Sequence, residues 1–121
     1  MTVSERKISE VILEFGEPVL DQLDLDDKFE MESAIRLLVT IWNAVALDHH
    51  EKTRHYEDQM LKLLEETPGE FDKIAHKLIK RKKRKYSSDP RTVGHYEIVE
   101  RDGGLVLRAE AHLPGEERVL H

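Results

Sequence analysis

The sequence predicts an α+β fold, predominantly α: a bundle of four to five helices around a central apolar helix, then a C-terminal β-hairpin. Two observations carry this. Ala34 to Leu47 reads AIRLLVTIWNAVAL, in which eleven of fourteen residues are apolar. Its exceptions, Arg36, Thr40 and Asn43, recur at i, i+4 and i+7 and so form one thin polar stripe. A helix that is apolar nearly all round must be covered by neighbours on most sides. Fourteen residues rise only about 21 Å, short of a hydrocarbon core of about 30 Å, so the stretch is a core rod and not a membrane span. The second observation lies near the C-terminus. From His95 the apolar period changes to two, and two alternating runs flank Asp102-Gly103-Gly104.

The elements follow in order. Thr2 and Glu5 have capping-box spacing, and Ile8, Val11, Ile12 and Phe15 then make a clean helical stripe. Gly16 suits the end of that helix and Pro18 the first turn of a short second one through Val19, Leu20 and Leu23. The acidic run Asp24-Leu25-Asp26-Asp27 places negative charge at the start of the central helix, about 28–48, and Asp27 with Glu30 forms another capping box. After Leu47 the chain turns polar, DHHEKTRH. Asp48 and Glu51 have capping-box spacing, which predicts a tight turn near 48–50; one long helix running through is the competing reading. Tyr56, Met60, Leu63 and Leu64 form the next stripe. Thr67-Pro68-Gly69-Glu70 combines a threonine cap, proline at the first helical position and a glutamate, and Phe71, Ile74, Ala75, Leu78 and Ile79 line the helix that follows.

Residues 87–94 read as a loop, and the hairpin strands as about 95–101 and 104–112. A two-residue turn at Asp102-Gly103 sets Val99 opposite Val106, Ile98 opposite Leu107 and Glu97 opposite Arg108. Both apolar faces then align and the facing charges are opposite; a turn at Gly103-Gly104 would oppose Glu97 to Glu110. Tyr96, Ile98, Leu105, Leu107 and Ala109 should face the helices, with Glu97, Arg101 and Arg108 outward. The tail 114–121 could return as a third strand through Val119. All 121 residues are read as one domain.

Composition narrows the chemistry. There is no cysteine, so disulfides, thiolate metal sites and cysteine nucleophiles are excluded, and a reducing cytoplasmic setting is the expected one. MTVSERK enters a helical pattern without an apolar signal region, so no targeting segment is expected. The net charge of −6 hides a segregation: residues 1–72 carry −11, residues 73–91 carry +8 and residues 92–121 carry −3. No Gly-x-Ser-x-Gly, His-Glu-x-x-His or glycine-rich phosphate loop occurs. The chain is accordingly expected to be no enzyme, to need no cofactor and to take no small-molecule substrate.

Two clusters are candidates for binding. Lys77, Lys80, Arg81, Lys82, Lys83, Arg84 and Lys85 crowd the end of the last helix, with Lys73 one turn earlier. Cations are favoured at a helix C-terminus, but the cluster could equally meet an acidic protein or nucleic-acid phosphates. Read as an exposed patch, it should tolerate Lys82, Lys83 and Lys85 all becoming Glu without loss of stability. The second cluster, Glu51, His55 and Asp58 with Asp48 nearby, has the carboxylate–histidine spacing of a metal-binding helix face; Asp72 and His76 offer a further i, i+4 pair. Lacking any Glu-x-x-His, it reads better as a solvated polar face. A hairpin of two strands is marginal alone and exposes two edges. The leading expectation is therefore a small interaction or oligomerisation protein, forming a homodimer or meeting a protein partner, with no membrane role. Nucleic-acid binding through 73–85 is the alternative.

Overall fold

The computed structural model of the protein describes residues 6–23, 27–67, 69 and 71–114. Helices α1 (Ile8–Phe15), α2 (Glu17–Leu20), α3 (Lys28–Glu51), α4 (His55–Glu65) and α5 (Phe71–Lys85) precede an antiparallel hairpin of β1 (Thr92–Arg101) and β2 (Gly104–His112). This is the predicted α+β order. The Thr2–Glu5 pair, the residues Asp24 to Asp26, Pro68 and Glu70 of the α5 start signal, and a third strand through Val119 lie outside the described residues.

Helix α3 is the rod about which the rest is packed. Ile35, Leu38, Ile41 and Trp42 are wholly buried, and Met31, Ala34, Val39, Ala44, Val45 and Ala46 nearly so. Asp27 caps its start, its Oδ1 accepting from the N–H groups of Phe29 and Glu30 at 2.9 and 3.2 Å. Helix α1 lays Ile8, Val11, Ile12 and Phe15 into the same core. Gly16 joins α1 to α2 with φ of −87°, so no left-handed turn requires it. A Cβ there would collide with the Leu38 side chain, so close approach to α3 fixes the glycine.

The turn after α3 differs from the prediction. The helix runs through 48–50 to Glu51, and the reversal comes at Lys52, which takes a left-handed conformation with φ 56°. Neither a turn at 48–50 nor a helix unbroken through His55 is correct. Asp48 supplies the reason. Its carboxylate is buried and caps α4, with Oδ1 accepting from the Tyr56 N–H at 2.9 Å and Oδ2 from the Glu57 N–H at 2.8 Å. Asp48 must stay helical to point there, so the chain can turn only after it.

The hairpin has the predicted register: Ile98 pairs with Leu107, Val99 with Val106, Glu97 with Arg108 and Arg101 with Gly104. Asp102 and Gly103 both have positive φ, 53° and 80°, as a two-residue type I′ turn demands. Ile98 and Leu107 are buried toward the helices, and Tyr96, Leu105 and Ala109 pack partly against the core. Glu97 and Arg108 are exposed and 3.6 Å apart. The first strand starts three residues before the predicted 95, inside the predicted loop 87–94. Val93 is held by the polar stripe of α3: Asn43 donates to its carbonyl at 2.9 Å and accepts its N–H at 2.8 Å. That side-chain amide takes the place of a neighbouring strand. A shift in pairing between Val93 and His95 then absorbs Gly94.

Candidate functional site: an apolar groove with a cationic rim

The basic cluster is divided by helix geometry. Ala75, Ile79, Lys82 and Tyr86 fall at i, i+4, i+7 and i+11, one stripe that faces the core. Lys82 is consequently buried, 3% exposed, with its Nζ 3.8 Å from the centre of the Trp42 ring. It donates to the carbonyls of Tyr86 and Asp89 at 3.4 and 3.2 Å. Burial pushes its pKa down to about 8, with Asp89 acting in the opposite sense. Trp42 completes an edge-to-face cluster with Phe15 and Tyr86 and donates its indole N–H to the Arg91 carbonyl at 2.7 Å.

Arg81 is also structural. Its guanidinium donates to the carbonyls of Phe15 and Glu14, both at 2.9 Å, and so closes the C-terminus of α1. The Tyr86 hydroxyl donates to the Glu14 carboxylate at 2.7 Å, which, with Arg6, holds that carboxyl below its usual pKa. Lys83 reaches across to buried Glu57 at 3.1 Å. Turning Lys82 and Lys83 into glutamates would therefore bury one carboxylate beside Trp42 and orphan another charge. The expectation of unchanged stability for that triple replacement is corrected accordingly.

What remains is Lys77, Lys80, Arg84 and Lys85, all exposed. None of these four forms a salt bridge among the described residues. Lys77, Lys80 and Arg84 recur at i, i+3 and i+7 and border a groove of about 1110 Å³ between α2, α3, α5 and the end of α4. Its walls are Val19, Leu23 and Ala34 at one side, Leu37 along α3, and Leu64, Phe71, Ile74 and Leu78 opposite. Arg36, from the polar stripe of α3, adds a further cation to the lining. Phe29 stands at the edge of the groove and is 77% exposed. The volume lies above the usual range of small-molecule sites, about 300–1,000 Å³, and the site is partly open to solvent. Its lining joins apolar side chains to the cations Arg36, Lys77, Lys80, Arg81 and Arg84, with Glu30 as an acid among them.

A second recess, of about 490 Å³, collects Asp48, Glu57, Lys82, Lys83 and Asp89. Each already has a partner: Asp48 holds the α4 start, Glu57 meets Lys83, and Asp89 meets Arg91 at 2.7 Å. It is a polar hub that ties α3, α4, α5 and the strand approach together.

The predicted metal-ligand trio is dispersed. Glu51 ends α3 and accepts from the Tyr56 hydroxyl at 3.1 Å; His55 opens α4 against the Tyr56 ring; Asp58 pairs with Arg54 at 3.7 Å. Among the described residues no group of three or more histidine, aspartate or glutamate side chains could hold a metal ion. Among them, too, no helix is long and apolar enough to cross a membrane.

Sequence reasoning missed the groove and the buried charges. The signal for Lys82 was present, because the apolar stripe of α5 continues through it to Tyr86. Phe29 gave no such signal, since a single aromatic in a first helical turn reads alike as core or surface. Comparison with protein-family models, with curated proteins and with solved structures finds no match for this chain.

Proposed function

We propose that this protein is a small non-catalytic interaction protein of the cytoplasm, whose docking surface is the groove between α3 and α5. The observation that carries this reading is the coincidence of an apolar trough with the exposed cations Lys77, Lys80 and Arg84 in its lining, which form no salt bridge among the described residues. Such a surface suits a protein segment that buries apolar side chains and carries acidic residues beside them. The charge selects and orients, while the apolar contact supplies most of the affinity. The hairpin, whose edges first suggested a partner, packs its apolar face on the helices, which moves the weight of the reading to the groove.

Selection of random 16-residue peptides displayed against the immobilised protein tests it. Enriched peptides should combine apolar and acidic residues, and should lose binding to a Lys77→Glu, Lys80→Glu, Arg84→Glu variant, whose three sites are all exposed. Peptides indifferent to that change would argue against the groove. Nucleic-acid binding, the alternative, would show instead as retention on a DNA column that falls steeply with salt.

A further inference from the structure

We infer that the occupant of the groove is a second copy of this chain, seated through Phe29 in a two-fold symmetric exchange. The inference rests on the docking reading above and names its partner. Both halves of the complementary pair lie on one chain. Phe29 projects from the first turn of α3 with 77% of its surface exposed, an unusual position for the largest apolar side chain of that turn. Around it stand the exposed acids Asp27, Glu30 and Glu32, with Lys28 the one cation among them. The groove that Phe29 and Glu30 border at one end sets apolar walls from Leu37 and Ile74 beside the cations Lys77, Lys80 and Arg84.

A surface that holds a knob with an acidic collar next to a trough with a basic border is self-complementary. Two copies related by a two-fold axis between knob and trough make both contacts at once, each Phe29 entering the other copy's groove. The acidic collars then face the basic borders. Such pairing gives an acidic counterpart to Lys77, Lys80 and Arg84, which form no salt bridge among the described residues.

Sedimentation equilibrium of the full chain across a wide concentration range tests this, with two variants: Phe29→Ser, which removes the knob, and the triple Lys77→Glu, Lys80→Glu, Arg84→Glu, which reverses the border. All four positions are exposed, and far-UV circular dichroism with thermal melting verifies that each variant is folded. The wild type should form a reversible dimer, and each variant alone should dissociate at least tenfold more readily. An equimolar mixture of the two variants should associate more tightly than either alone, because the Phe29→Ser copy keeps an intact groove for the knob of the other. Failure of the mixture to recover association would overturn the exchange, as would a dimer indifferent to both variants. A wild type that stays monomeric throughout would overturn self-docking. If that monomer still selects peptides sensitive to the border reversal, the docking reading stands without it; if it selects none, both fall.

Discussion

At the scale of single residues, the buried and half-buried polar side chains of this protein are held by specific partners. Asp48 answers two N–H groups at the start of α4, Asn43 stands in for a strand beside Val93, and Arg81 answers the last carbonyls of α1. Lys82 has the largest consequence, because its amine is buried against Trp42 and its pKa falls from 10.5 to about 8. Below pH 8 the amine is charged in both the folded and unfolded chain, and the full cost of burying that charge is present. As pH rises from 8 toward 10.5 the folded form releases its proton first, so stability increases across that window. Tyr86 acts oppositely at higher pH: burial and its bond to Glu14 push it up to about 12, so its contribution is lost as pH rises above 10. Lys82→Met keeps the apolar stem over Trp42 and removes the titration. Denaturant unfolding at pH 8 and pH 10 should therefore show the wild type gaining about 2 kcal/mol relative to Lys82→Met. An unchanged difference would mean that Lys82 is hydrated.

At the scale of elements, α3, the α1–α2 junction and the hairpin were legible, and the α3–α4 turn and the start of β1 were not. Eleven apolar residues in fourteen leave a helix no choice but the centre, and the alternation around Asp102-Gly103 allows one register in which faces and charges both agree. The α3–α4 turn was misplaced because capping-box spacing at Asp48 and Glu51 is a local signal, whereas Asp48 caps the next helix through space. The early start of β1 was missed because Gly94 interrupts the period-two pattern, and the amide that secures Val93 comes from fifty residues upstream. Leu63, read as part of the α4 stripe, is 66% exposed, since α4 contributes only Met60 and Glu57 as fully buried side chains. The central helix makes its own prediction. Leu38→Ala or Ile41→Ala should cost about 2–5 kcal/mol by denaturant unfolding, as for wholly buried aliphatic side chains. Arg36→Ala, on the exposed stripe, should cost well under 1 kcal/mol. Similar small losses at all three would mean that α3 is a surface helix.

At the scale of the whole molecule, the basic segment of the sequence serves two purposes that helix periodicity separates. The side of α5 that carries Arg81 and Lys82 holds α1, Trp42 and the approach to β1, while Lys77, Lys80 and Arg84 border the groove. Net charge by segment showed that a basic region existed, but only the fold divides it, because exposure depends on what α1 and α3 cover. Methyl NMR tests the docking claim most directly, with isoleucine, leucine and valine labelled and spectra recorded on concentrating the protein or on adding a peptide selected against it. Leu37, Leu64 and Ile74 should shift together while Val106 and Leu113, exposed on and just beyond the hairpin, stay in place. Shifts confined to Val106 and Leu113, with the groove methyls unmoved, would contradict it and assign binding to the hairpin.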